Sequence, residues 1–336
     1  MTPVFLFVAV LAVLAGAVAL WPWVAEALRR PVTDRLRGRA PGDFADLERG
    51  ATHYKWHGSR SERVIVLVHG LSSPMWVFDG LIRGLLGLRY RVLTYDLYGR
   101  GHSDRVPGPQ TLDFHKTQLV ELLDALGINV PVTVLGYSMG GAIAARFAAT
   151  ESDRVDRLIL LAPAGMGYVA SKPLALARRS GLFGSWLWGL TGPWLLRKSA
   201  RADAKGASVI TDLPDRIAAE LKRKGYLAAL LSSERHALQE DVAGDHREIA
   251  AMYIPTLAIW GEADRVIPLA GVGQLAVWNR HAHQEVIPGA PHSLPYTRPA
   301  QVLETIRKTG NHADVEESMK TAADAYFADF AAKHAG

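Results

Sequence analysis

The sequence predicts an α/β fold: a mainly parallel central sheet with helices on both faces, a helical cap inserted into it, and a transmembrane helix ahead of it. Three observations carry this reading. Short apolar runs of strand type recur along the chain, and helical patterns separate several of them, the alternation that builds a parallel sheet. Between Leu161 and Met252 the alternation stops for roughly ninety residues, too long for a structureless loop in a compact domain. From Thr2 to Ala25 no side chain is charged.

With 336 residues, 49% of them hydrophobic, the chain can bury a full core in one large domain with an insertion. No segment repeats, which excludes solenoids and propellers. The sequence has no cysteine, which removes disulfides, zinc-thiolate sites and thiol nucleophiles together. A net charge of +5 raises the question of nucleic acid, but no finger, basic zipper or RNA-recognition pattern accompanies it.

The N-terminal run VFLFVAVLAVLAGAVALWPW is apolar all round. About 23 helical residues span roughly 34 Å, enough for a hydrocarbon core of about 30 Å. Trp21 and Trp23 fall at the interface, and Arg29, Arg30, Arg35, Arg37 and Arg39 follow at once. The positive-inside tendency then puts this flank and the rest of the chain in the cytoplasm. The rival reading is a cleaved signal peptide with an A-x-A site at Ala17-Val18-Ala19, but the run lacks a basic n-region and is long for an h-region. The expected organisation is therefore an anchor with its basic flank over 1–30, a juxtamembrane linker over 31–43, and one domain over 44–336.

Within that domain the strands expected are Val64 to Val68, Arg91 to Tyr95, Val132 to Leu135, Leu158 to Leu161, Thr256 to Trp260 and Gln284 to Ile287. A cap over about 165–250 carries helical patterns such as Asp215 to Leu231, with breaks at Gly192-Pro193 and near Leu213-Pro214. Its first half is aromatic, and Trp186, Trp188 and Trp194 are expected to wall a substrate pocket. Between Lys172 and Lys205 it holds seven basic residues and one acid, Asp203, which reads first as solvated helix faces and second as a face for anionic lipid. Arg298 to Thr309 reads as a closing helix. Apolar residues three to four apart predict an amphipathic helix over about 314–333.

The chemistry gathers at strand ends, where ligands bind in such sheets. Gly136-Tyr137-Ser138-Met139-Gly140 sits between a strand and a helix, a sharp turn that holds Ser138 with its Oγ exposed at a helix N-terminus. An alcohol needs a base to take its proton and a carboxylate to orient that base. Asp264 follows the strand TLAIW in GEADRVIP, and His292 follows QEVI in PGAPH. Glu262 is a nearby competitor for the acid role. His281 and His283 precede the last strand and belong at its other end, whereas His102, in GRGHSD, is expected on the pocket floor. HGLSS ends the strand at Val68, which offers the Leu71 N–H together with the Met139 N–H as donors to an oxyanion.

HGLSS, YDLYGRGHSD, GYSMGG, GEADRVIP and GAPHSLPYTRP, in that order, resemble the α/β-hydrolase superfamily over Phe44 to Thr309, excluding most of the cap. The chain is most similar to membrane-anchored monoacylglycerol lipases and carboxylesterases, and also to meta-cleavage C–C hydrolases. It departs in having Pro291 before His292, where glycine is common. The resemblance implies a serine-histidine-aspartate mechanism without cofactor or metal, and the serine at the elbow disfavours the dehalogenases and epoxide hydrolases that use aspartate there. The expected activity is cleavage of carboxylic esters with an apolar acyl chain, the partners being a small-molecule or lipid ester and the membrane, with no nucleic acid. The alternatives are C–C hydrolysis of a vinylogous ketone acid and a non-catalytic scaffold that binds a partner.

Overall fold

The computed structural model describes residues 3–59 and 63–310. Eight strands form one sheet: β1 (Asp43–Leu47), β2 (Gly50–His57), β3 (Val64–Val68), β4 (Arg91–Tyr95), β5 (Val132–Tyr137), β6 (Val155–Leu161), β7 (Thr256–Gly261) and β8 (His283–Ile287). Their order is β1-β2-β4-β3-β5-β6-β7-β8. β1 pairs antiparallel with β2 and β2 with β4, and every later pairing is parallel. All five residues of β3 are buried. Its Val64, Val66 and Val68 face one core while Ile65 and Leu67 face the other, which is why a strand covered on both sides reads as an unbroken apolar run.

The helices are α1 (Pro3–Ala27), α2 (Asp34–Arg37), α3 (Asp79–Gly87), α4 (Leu112–Ala125), α5 (Met139–Thr150), α6 (Lys172–Arg179), α7 (Gly181–Ala204), α8 (Leu213–Glu220), α9 (Tyr226–Arg235), α10 (Ala243–Ala251), α11 (Ala270–Trp278), α12 (Leu294–Thr297) and α13 over 299–310. Buried residues of α4, α5, α10 and α11 fill the core on one face of the sheet. Those of α3 and α13 fill the other, and residues of α6 to α9 extend that second core into the cap.

Four details depart from the sequence reading. The hairpin β1–β2 goes unseen because β2 buries Thr52 and His53 and carries Lys55, so no apolar alternation marks it. Pro193 does not break the cap: α7 runs through it. The ring removes one helical hydrogen bond, but Trp188 on one side and Ala200 on the other are both packed into the core and hold the two halves in line. The pattern from Asp215 to Leu231 is two helices, parted at Gly225, where φ is +81°. Finally, α10 lies on α5 and α11 as part of the body, so the cap ends ahead of it. The amphipathic helix expected over about 314–333 lies outside the described residues.

The end of α1 rests on the cap. Trp186 Nε1 donates to the Val18 carbonyl at 3.4 Å, and a Cβ built on Gly189 would stand 2.6 Å from Pro22 Cβ. Position 18 meets 186 and position 22 meets 189, so the two helices run parallel there. Glu26 Oε1 accepts the Gly225 amide at 2.6 Å, and Arg30 exchanges main-chain bonds of 2.9 Å with Lys222 and Lys224.

Candidate active site

β5 delivers Ser138 to the rim of the sheet, and the residue sits at φ 55°, ψ −121° as the N-cap of α5. A side chain at Gly136 or Gly140 would collide with main chain: the built Cβ atoms lie 2.2 Å from the Gly140 carbonyl and 2.0 Å from the Val68 carbonyl. Only glycine lets the turn close so tightly. The Ser138 amide donates to the Leu161 carbonyl at 2.9 Å, and the Ser138 carbonyl accepts from Gly141 at 2.8 Å and Ala164 at 2.9 Å. Those bonds hold a positive-φ conformation that a non-glycine residue resists.

His292 leaves β8 through a turn at Gly289, and Asp264 leaves β7 just past Gly261. His292 Nε2 stands 3.0 Å from Ser138 Oγ, and its Nδ1 stands 2.7 Å from Asp264 Oδ2. Asp264 is buried, and its other oxygen accepts the Val266 amide at 2.7 Å and the Ile267 amide at 2.8 Å. A carboxylate so committed accepts the Nδ1–H hydrogen bond and leaves Nε2 as the acceptor facing the serine hydroxyl. The Tyr137 ring lies 5.3 Å from the imidazole, centroid to centroid.

Gly70 abuts the serine: a Cβ built on it would stand 3.1 Å from Ser138 Cβ. Next to it, Leu71 lines the site cavity, while Met139 is fully buried and offers its main-chain amide at the first turn of α5. Among the described residues neither the Leu71 nor the Met139 amide meets a protein acceptor. The peptide groups of this loop are fixed from behind. The fully buried Arg100 donates Nε to the Leu71 carbonyl at 3.0 Å, and Tyr226 of α9 donates its hydroxyl to the Ser72 carbonyl at 2.6 Å. His69 Nε2 accepts the Leu97 amide at 2.9 Å, which leaves the proton on Nδ1 for the Gly70 carbonyl at 2.8 Å. Burial pushes this imidazole down to about 4, so it stays neutral.

The cavity over Ser138 measures about 190 Å³. Its cap wall is Leu196, Ser199, Ala200 and Asp203, the i, i+3, i+4, i+7 face of α7, and Leu213 and Ile217 of α8 add to it. Trp186, Trp188 and Trp194 do not line it. Trp186 stacks on Phe183 beside α1, and Trp188 is buried with its Nε1 on the Leu227 carbonyl at 3.0 Å. Trp194 is 59% exposed under the Lys198 ammonium. The reason is phase: at 100° per residue Trp194 falls on the far side of α7 from Leu196, and Trp186 and Trp188 lie at least about 12 Å down its axis.

His102 is likewise absent from the pocket floor. It accompanies His53 and Asp96 in a second cavity of about 450 Å³. These three have the residue types and proximity of a metal site, but most of their ligand atoms are committed. His53 contacts Asp96 Oδ2 at 2.7 Å and the Pro41 carbonyl at 3.0 Å, and His102 Nε2 meets Arg223 at 3.1 Å. Glu262 is exposed and accepts the Gly289 amide at 2.8 Å, while His283 is exposed beside Glu285 at the start of β8. Reasoning from sequence missed Arg100 and Tyr226, which fix the loop after β3, and Asp203 and Tyr296, which line the cavity. The signal for Asp203 was its spacing from Leu196 and Ser199 on one helical face.

A sequence model of the alpha/beta hydrolase fold matches residues 63–299. Monoacylglycerol lipase abhd6-B of Xenopus laevis is 24% identical over 272 residues, 74% of this chain and 77% of that protein. The 2-hydroxymuconate semialdehyde hydrolase of Pseudomonas putida is 30% identical over 216 residues, 60% of this chain and 70% of that one. Among solved structures, a membrane phospholipase A described as a bacterial virulence factor superposes with a TM-score of 0.63 at 20% identity, covering 93% of this chain and 99% of its own.

Proposed function

The chain belongs to the α/β-hydrolase family, and on that premise we propose that it is a membrane-anchored serine hydrolase that cleaves carboxylic esters with an apolar acyl chain. One observation carries the reading: Ser138, His292 and Asp264 form an unbroken hydrogen-bonded chain of 3.0 and 2.7 Å at the mouth of a cavity lined by Leu71, Leu196, Leu213, Ile217, Leu238 and Val266. Ser138 Oγ attacks the ester carbonyl carbon while His292 Nε2 takes its proton. Asp264 holds the resulting imidazolium, and the Leu71 and Met139 amides stabilise the oxyanion. As the tetrahedral intermediate collapses, the bond to the alcohol oxygen breaks and the alcohol leaves with the proton from His292. Water, deprotonated by the same imidazole, then attacks the acyl-enzyme, and the fatty acid departs as Ser138 recovers its proton.

C–C hydrolysis stands second. A polar dienol acid needs cationic partners, and among the described residues lining the cavity none is lysine or arginine. A non-catalytic scaffold stands third, since it leaves the aligned serine, imidazole and carboxylate without a use. The anchor reading draws support from α1, whose Val4–Ala27 stretch reaches a mean hydropathy of 2.8 over an 18-residue window with no buried residue. We place the catalytic domain on the cytoplasmic side of the membrane, from the arginines that follow α1. The test is hydrolysis of p-nitrophenyl esters of graded chain length by the wild type and Ser138→Ala. Removing the nucleophile is expected to lower kcat by about 10⁴-fold or more. Equal turnover by both proteins defeats the reading.

A further inference from the structure

One group in the cavity has no part in the acyl-transfer chemistry. Asp203, in the last turn of α7, is the single carboxylate among the described lining residues, and no lysine or arginine among them lines the cavity with it. Tyr296 donates its hydroxyl to Asp203 Oδ2 at 2.9 Å, and among the described residues no ion pair or other hydrogen bond engages the carboxylate. Burial raises its pKa, outweighing the Tyr296 hydrogen bond and the charge of the nearby His292, which both pull it down. The basic residues that share its helix, Arg197, Lys198 and Arg201, are exposed, and among the described residues none forms an ion pair with it. Ser199 stands one turn back on the same face of α7, and Ser72 and Ser73 enter from the loop beyond Gly70. The cavity therefore has a hydroxyl-rich, acidic portion beside its apolar one, and the cap supplies its carboxylate.

A carboxylate of this kind accepts hydrogen bonds and donates none. It favours a ligand that brings hydroxyl donors and repels one that brings negative charge into a poorly solvated space. From this we infer that Asp203 is a specificity-determining residue for the alcohol half of the substrate. It selects fatty acyl esters of neutral polyols, whose free hydroxyls donate to it, and rejects esters with an anionic group near the reacting carbonyl. The inference rests on the ester-hydrolase reading above and deepens it by naming the alcohol.

The test uses the full chain in detergent micelles with three esters of one acyl chain: 1-lauroylglycerol, methyl laurate and O-lauroyl glycolate. For the wild type, kcat/KM is expected to fall in that order. Asp203→Asn keeps the shape and an acceptor for Tyr296 but removes the charge. It is expected to cut the glycerol-to-methyl selectivity about tenfold, the scale of one hydrogen bond to a charged group, and to raise the glycolate-to-methyl ratio by a similar factor. Unchanged ratios in a folded variant overturn the inference, as does an equal loss on all three esters, which would make Asp203 a support for His292. Should the variant not fold, the wild type decides: equal kcat/KM on the three esters overturns the inference while leaving the hydrolase reading in place. Failure of the wild type to cleave any ester removes that reading, and the inference with it.

Discussion

Several side chains that never touch substrate are held in one protonation state by burial. Burial alone pushes His246 down to about 4, as it does chiefly for His69. Each is neutral in the folded chain, whereas in the unfolded chain each binds a proton below about pH 6.5. The unfolded state therefore binds more protons between about pH 4 and 6.5, so stability is full above that window and falls as pH drops through it. A shift of roughly 2.5 units corresponds to about 3 kcal/mol for each residue by the time pH reaches 4. His246 stacks on Trp278, 6.2 Å between centroids, and among the described residues no carboxylate pairs with it. The thermal midpoint is expected to fall steeply on acidification from pH 7 to 4, and His246→Phe to flatten part of that fall. Parallel profiles for the two proteins would count against this account.

At the scale of elements, the loop after β3 is clasped between body and cap. Arg100 holds it from the turn after β4 and Tyr226 holds it from α9. Arg100 also reaches Ser233 of α9 at 2.8 Å, so this cap helix and the loop share one buried cation. Tyr226→Phe removes a 2.6 Å bond to the Ser72 carbonyl next to the proposed oxyanion donors. It is expected to lower kcat on p-nitrophenyl esters about tenfold with KM changed less than about twofold, because the oxyanion exists only in the transition state. A loss confined to KM would show that Tyr226 shapes the pocket instead.

The same elements show what the sequence makes legible. β3 to β7 could be read because strands buried on both faces are continuous apolar runs. Ser138, Asp264 and His292 could be placed together because parallel strands send their following loops to one rim. The β1–β2 hairpin escaped because buried Thr52 and His53 satisfy their polar groups through tertiary bonds that no periodicity announces, such as His53 to Asp96. The tryptophans misled because aromatic content says nothing about phase around α7, and the clasp of Arg100 on Leu71 joins residues 29 apart through a contact with no local pattern.

For the whole molecule, the parallel contact of α1 with α7 ties the cap to the helix proposed to span the bilayer. Val18 lies within the apolar run, and its neighbour Trp186 follows Leu182 and Phe183, which are 83% and 55% exposed. Removing residues 1–27 is expected to move the protein from the detergent phase to the aqueous phase in a cloud-point partition while turnover of a short-chain, water-soluble ester persists. Aqueous partition of the intact chain would refute anchoring. From Trp186, level with the apolar run, to Ser199, over the nucleophile, α7 climbs about 20 Å at 1.5 Å per residue. With α1 across the bilayer as proposed, such a rod sets the height at which an ester bond is cut, and a lipid substrate must rise out of its leaflet to reach it. Since each methylene withdrawn costs about 0.8 kcal/mol, a single-tailed ester makes that ascent far more readily than a two-tailed one.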